Sequence, residues 1–287
     1  MKKFIAIIMA LAIIVSCVAV FAACGKDEPQ VKLVNVDLSS EQYAFAVKKN
    51  DTQLLASVNQ FFKDKKDDIA AIFDKYTAEG ADLESFGKSD IQTTPTGAAN
   101  ELVVATNLDF APFEYTNGSK IAGIDMEIAE LLATYLNKKL VIVHMDFDAV
   151  VESVQTLDDY DIGIAGLTIT PERAEMVAFS DPYFGATQSL LVKDDDTTFD
   201  DCKDAAAVEE KLKSLTGNAA KCGGQAGTTS QFYVNGNEDM GFDGFENLKF
   251  DAYANAALAV QDMLNGKIAF VVVDKTTAGA LVTSFNK

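Results

Sequence analysis

Thr168-Ile169-Thr170-Pro171-Glu172-Arg173 places a hydroxyl, a helix start and a guanidinium close together in the chain. Free amide N–H groups and the dipole at a helix N-terminus favour an anion there. An Arg fork can grip a carboxylate with two hydrogen bonds. Gly227-Thr228-Thr229 is a second helix start, with further N–H and hydroxyl donors. Asp274 ends the apolar run Phe270-Val271-Val272-Val273-Asp274, and the carboxyl edge of a parallel strand is where α/β sheets bind ligands. An anion pocket paired with one carboxylate suits a molecule that carries a carboxylate and an ammonium on one carbon, a free amino acid. Each feature also has a plainer reading. Thr-Pro-Glu-Arg is a well-capped helix start, Gly-Thr-Thr an ordinary turn, and Asp274 the N-cap of a helix opening at Lys275. Phe110, Phe113 and Phe147, taken singly, read as core. Their conjunction is what points to a site.

The elements that must position these residues follow from periodicity. Residues 31 to 47 have a strand-like pattern, and two amphipathic helices follow, Asp51 to Phe62 and Asp67 to Tyr76. Residues 80–100, rich in Gly, Ser, Thr, Asp and Pro, read as a long linker. Beyond it, strand 102–106 leads to the loop from Asn107 to Tyr115. Helix 125–136, with Asp125 as its expected cap, and strand 140–143 come next. A helix from about Ala149, strand 162–166 and the helix opening at Thr170 follow. The second half repeats this alphabet: strand 189–192, helix 205–215, a helix opening at Gly227-Thr228-Thr229-Ser230, helix 254–264 and strand 267–273. Gly266 stops the last of those helices. Strands alternating with short helices predict an α/β fold with mainly parallel sheets.

Composition narrows the function. The chain has 287 residues, enough for two modest lobes or one large domain, and a formal charge of -19. That charge argues against nucleic acid, whose phosphates need clustered Lys and Arg. Lys2 and Lys3 precede an apolar run from Phe4 to Ala23, and Ala22-Ala23 lead into Cys24 and a polar stretch. These are the regions of an export signal, although about 20 apolar residues could also span a bilayer. Phe21-Ala22-Ala23-Cys24 resembles a bacterial lipoprotein signal, which implies a lipid on Cys24. Either way the remainder lies outside the cytoplasm, lipid-anchored at the cell membrane on the first reading. With Cys17 removed and Cys24 lipidated, Cys202 and Cys222 remain. In an oxidising compartment they read as one disulfide, the alternative being two buried thiols. His144 is the single His, and no Cys or His spacing suits a metal, so no metal or cofactor is expected.

From Glu101 to Lys287 the chain resembles the polar-amino-acid family of periplasmic solute-binding proteins, which feed ABC importers. The strings that carry the resemblance include Ala105-Thr106-Asn107, Phe110-Ala111-Pro112-Phe113-Glu114-Tyr115, Gly123-Ile124-Asp125 and Met145-Asp146-Phe147-Asp148. Asp161 through Arg173, Phe179-Ser180-Asp181-Pro182-Tyr183, Gly227-Thr228-Thr229 and Val273-Asp274 continue it. The resemblance implies a two-lobed clamshell that closes on its ligand. Arg173, Thr168 and the backbone near Gly166 would hold the ligand carboxylate, with Thr228 or Thr229. Asp274 would meet the ammonium, and Phe110 and Phe147 would sandwich the side chain. Asn107 stands where members that bind basic amino acids often carry an acid. With Gln225 nearby in the pattern, that implies a polar, uncharged ligand such as glutamine. The expected partners are the amino acid and an importer permease, the expected state a monomer. A sensory module and a dehydratase on the same scaffold are the alternatives to transport.

The order of the segments departs from that family. Val31 to Lys49 and the two helices after it resemble the family's C-terminal part, although they stand first here. The chain therefore reads as circularly permuted, the alternative being the remnant of a tandem copy. The expected organisation is a signal at 1–24, one lobe from 25–43 with 188–287, and the other from 44–187, which includes the 80–100 linker. The hinge crossings are expected at Tyr43 to Val47 and near Gln188 to Val192.

Overall fold

The structure, a computed structural model, describes residues 30–287. The signal segment and Cys24 lie outside the described residues. The chain opens with β1 (Val31–Val34), β2 (Glu41–Tyr43), β3 (Ala46–Lys48) and helices α1 (Thr52–Asp64) and α2 (Lys66–Thr77). The Asp51 carboxylate accepts from the Leu54 N–H at 2.9 Å and starts α1 as an N-cap. Next come β4 (Glu101–Thr106), the short β5 (Asp109–Phe110), β6 (Glu114–Asn117) and β7 (Lys120–Ala122), and α3 (Ile124–Tyr135). β8 (Lys139–His144), α4 (Phe147–Thr156), β9 (Ile162–Gly163), α5 (Pro171–Met176) and β10 (Val177–Phe179) complete this part. The remainder holds β11 (Phe184–Ala186), β12 (Gln188–Lys193), α6 (Ala205–Ser214), β13 (Lys221–Gln225) and α7 (Thr229–Asn235). It ends with β14 (Lys249–Tyr253), α8 (Ala256–Leu264), β15 (Phe270–Asp274) and α9 (Lys275–Phe285).

Two five-stranded sheets organise the two lobes: β10-β3-β9-β4-β8 in the first and β1-β12-β15-β13-β14 in the second. Four strands of each sheet share one direction and one opposes them, β3 in the first and β12 in the second. β4 and β15 are buried along their whole length, as expected of strands covered on both faces. Between the lobes β2 pairs antiparallel with β11, a two-stranded hinge. The expected single crossing strand from Tyr43 to Val47 is thus broken in two: β2 lies in the hinge and β3 in the first sheet. The other crossing falls at β11, one strand earlier than expected, because β12 is committed to the second sheet.

α1 and α2 pack on the first lobe. Tyr76 of α2 donates to Glu127 of α3 at 2.8 Å and accepts from the Gly123 N–H. The Phe62 and Phe73 rings stack on Tyr183 and Phe184 beside the hinge. Residues 80–100 are less of a free linker than their composition suggests. Lys88 and Ile121 exchange backbone hydrogen bonds, and Ile142 donates to Gln92. The Glu101 carboxylate collects Thr96 N–H, Thr96 Oγ1 and Gln92 Nε2, which hold its pKa down to about 2.

Two further expectations are corrected. Asp125 does not cap α3. Gly123 precedes the helix at φ 130, where an added Cβ would lie 2.0 Å from the Phe113 carbonyl oxygen. Asp125 instead turns inward as a fully buried side chain. The Cys202–Cys222 disulfide is not formed. Cys222 lies buried in β13 with its thiol on the Lys249 carbonyl of β14, whereas the Cys202 thiol turns to the Ala207 carbonyl at the start of α6. Burial pushes the Cys222 thiol up to about 12, which leaves it unreactive. β13 itself was not legible, since Lys-Cys-Gly-Gly-Gln carries two strand-weakening glycines. Both are required by close neighbours. A Cβ on Gly223 would lie 2.6 Å from the Tyr253 ring, and one on Gly224 2.6 Å from the Val272 carbonyl.

Candidate functional site

Glu41, Gln42 and Tyr43 alternate buried, exposed, buried along β2, so Glu41 and Tyr43 share one face of the hinge. Both lobes bring side chains to that face. From the first lobe comes the turn after β9, where Gly166 adopts φ +53. A Cβ at Gly166 would crowd the Phe110 and Tyr43 rings at 3.2–3.3 Å. The turn is held from below, because the Gly166 N–H donates to Asp125 at 2.8 Å and Tyr183 Oη donates to the same carboxylate at 2.7 Å. Burial raises Asp125 to about 6 and pushes the adjacent, fully buried Glu114 above the usual carboxylate range.

Thr170 caps α5 by accepting from the Arg173 N–H, with Pro171 in the first turn. This aims the Arg173 side chain into the cleft, where it is buried. Its guanidinium carbon lies 5.2 Å from the centre of the half-buried Phe147 ring. It donates to the Thr168 carbonyl at 2.8 Å and, across the cleft, to the Gly227 carbonyl at 3.0 Å. Burial lowers its pKa to about 10, opposed by the charges of Glu41, Glu172 and Asp274, so it stays cationic at neutral pH.

From the second lobe, Asp274 ends β15 opposite Gln188 of β12 and accepts from the Tyr43 hydroxyl. Burial first, then the charge of Glu41, push its carboxyl up to about 7 against the hydrogen bonds of Tyr43 and Gln188. Thr229 opens α7 and donates to Glu41 at 2.7 Å. Thr228 spends its hydroxyl on the Gln225 carbonyl of the preceding strand. At the far end Gln225 Nε2 donates to Asn107 Oδ1 across the cleft at 2.9 Å and to the Ala254 carbonyl at 3.1 Å. Asn107 in turn donates to the Met145 carbonyl. Phe110 is buried and stacked on Phe113. All ten expected site residues therefore converge where the lobes meet.

Sequence reasoning missed Glu41, Tyr43 and Gln188. The signal was the alternation itself, which puts a Glu on the same buried face as a Tyr. Among the described residues no three His, Cys, Asp or Glu side chains are grouped to hold a metal ion.

Comparison with known proteins gives the same direction. The family of bacterial extracellular solute-binding proteins, family 3, matches residues 102–286. The "probable histidine-binding protein" of Neisseria gonorrhoeae is 30% identical over 172 residues, 60% of this chain and 58% of that protein. The first curated relatives, this one included, are matched over 37 to 66% of their own length. Among solved structures, the arginine-bound form of truncated ArgBP from T. maritima superposes with a TM-score of 0.54 at 32% identity. That match covers 64% of this chain and 78% of the other. An ancestral arginine-binding protein bound to glutamine gives 0.53 at 31%, covering 65% and 75%.

Proposed function

Because the chain belongs to family 3 of the bacterial extracellular solute-binding proteins, we propose that it captures a free amino acid between its lobes and delivers it to an ABC importer. One observation carries this reading. Arg173 from one lobe reaches across the cleft to the Gly227 carbonyl, and Asp274 from the other accepts from Tyr43 of the hinge strand. The cleft thus holds both a guanidinium and a carboxyl group, the two partners that the charged ends of an α-amino acid need. Two guanidinium nitrogens are occupied by carbonyls, and the remaining N–H donors are free for a ligand carboxylate. Asp274, raised by burial, is the group that gains most from an incoming ammonium. Ligand binding then shifts the lobes towards the closed form an importer recognises.

The side-chain end supports a polar, uncharged ligand. Asn107 and Gln225 meet there as an amide pair, which supplies no carboxylate for a cationic side chain. One solved relative, an ancestral arginine-binding protein, is bound to glutamine, in keeping with this reading. Calorimetry against the amino acids should find one that binds, glutamine ahead of arginine, and mass spectrometry should recover it unchanged. Steady conversion of the ligand defeats the transport reading, and arginine binding more tightly defeats only the specificity. The same spectra, taken on the membrane fraction, should find a diacylated Cys24 at the mature N-terminus.

The permuted order belongs to this reading. Val31 N–H donates to Asn286 Oδ1 at 2.9 Å and Asn286 Nδ2 donates back to the Val31 carbonyl at 2.8 Å, so the first strand and the last helix are neighbours. β1 lies in the second sheet, while β3, α1 and α2 belong to the first lobe. That supports lobes built from 25–43 with 188–287 and from 44–187, and the family match beginning at residue 102 agrees. A rewired chain running from 101 to 287 and on through 31 to 80 should fold and bind as the native order does, since only surface connections change. An unfolded product would count against the permutation and leave the function untouched.

A further inference from the structure

Glu41 is a buried carboxylate, 4% exposed, and it takes four hydrogen bonds. Thr168 Oγ1 of the first lobe and Thr229 Oγ1 of the second donate to the same oxygen, Oε2, at 2.8 and 2.7 Å. Ser39 Oγ and Gln188 Nε2, from segments flanking the hinge, donate to Oε1 at 2.6 and 3.1 Å. A hydroxyl has one proton to give. While Thr168 and Thr229 give theirs to Glu41, neither can donate to a ligand carboxylate. A ligand anion set against their lone pairs would be repelled.

We propose that Glu41 is a positioning residue of the amino-acid site: it draws the Thr168 and Thr229 hydroxyls onto itself, ties the lobes together through them, and leaves the ligand carboxylate to Arg173 and backbone N–H groups. The inference rests on the amino-acid reading only for its last clause. The clasp between lobes is a property of the protein alone. Glu41 sits on the hinge strand, which both lobes share, so it can hold them together without crossing the ligand's space. Hydrogen bonds to a charged acceptor are the stronger kind, and two of them on one oxygen favour the closed arrangement. Because apparent affinity scales with the population of the binding-competent form, loss of the clasp weakens binding although Glu41 itself need not touch the ligand.

The test compares Glu41→Ala, Glu41→Gln, Thr168→Val, Thr229→Val and Glu41→Ala combined with each Thr change. Radii of gyration without ligand come from small-angle X-ray scattering and affinities from calorimetry. Scattering is best done at pH 6, where Asp274 is largely protonated and relief of its repulsion with Glu41 does not mask the lost bonds. Glu41→Ala should enlarge the ligand-free protein and weaken amino-acid binding about tenfold or more. Glu41→Gln should fall between it and wild type, since the amide keeps one acceptor oxygen. Each Thr→Val change should act in the same direction alone and add nothing to Glu41→Ala. Should Glu41→Ala fail to fold, the Gln and Val variants carry the comparison. An unchanged radius in Glu41→Gln and both Val variants overturns the clasp. Further loss of affinity when Thr168→Val or Thr229→Val is added to Glu41→Ala overturns the hydroxyl assignment, because those hydroxyls would then serve the ligand. If wild type binds no amino acid, the functional reading fails, and the scattering arm still decides the clasp.

Discussion

Arg173→Ala should lower amino-acid affinity more than a hundredfold while the protein keeps its fold. The ligand carboxylate would be buried against Phe147 with no countercharge, and an uncompensated buried charge costs about 3–5 kcal/mol. The Thr168 and Gly227 carbonyls also lose their shared donor, so the lobes lose a direct tie as well. Arg173 sits on a six-residue helix at the cleft and is not part of the apolar cores of either lobe. The circular dichroism spectrum should therefore be that of wild type. Arg173→Lys keeps the charge without the planar fork, and it should recover only part of the affinity. Calorimetry checks both variants. Binding by Arg173→Ala within a few-fold of wild type would mean that the carboxylate sits elsewhere.

Asp274→Asn should separate two effects that a simple contact argument merges. It should weaken ligand binding by a similar factor, because the ammonium loses its countercharge. It should also make the ligand-free protein close more readily. In the closed lobes the Asp274 carboxyl titrates at about 7, far above its ordinary value near 3.8, through burial and then the nearby charge of Glu41. A raised carboxylate pKa opposes the state that raises it, above the ordinary pKa and most fully above the raised one. Above about pH 7 the displacement corresponds to up to about 4 kcal/mol against closure without ligand, and the penalty fades as pH falls through 7. Wild-type protein without ligand should thus be more open at pH 8 than at pH 6. Asp274→Asn should be compact at both, since Asn still accepts from Tyr43. Small-angle scattering over this pH range reads the difference. An equally pH-dependent Asp274→Asn assigns the titration to another group.

The two carboxyl groups at the cleft pull in opposite directions on closure. On the proposed function Asp274 would resist burial until a ligand ammonium arrives, while Glu41 and its two threonines would favour contact between the lobes. The balance of the two sets how much of the ligand's binding energy is consumed in moving the lobes, and so how sharply closure reports occupancy.

Local chemistry was legible in the sequence wherever its partners lie a few residues apart. The Thr170-Pro171 start of α5 and the Gly266 stop after α8 follow from backbone groups within one helical turn. The buried runs of β4 and β15 were equally plain, because a strand covered on both faces must be apolar throughout. The convergence of Arg173, Thr168, Thr229 and Asp274 could be expected from their types and from family resemblance. Their protonation and hydrogen-bond partners could not. Asp125 reads as a cap by spacing, yet its partners are the Gly166 amide and the Tyr183 hydroxyl. Cys202 and Cys222 read as a pair by counting, yet each thiol faces a different carbonyl. Glu41 reads as an ordinary strand residue, yet it meets Thr168 and Thr229 from 127 and 188 positions away. A cap or a turn is decided by backbone geometry over a few bonds. What a buried carboxylate does is decided by which donors the folded chain brings within about 3 Å of it, and in this protein those donors come from both lobes and both hinge crossings.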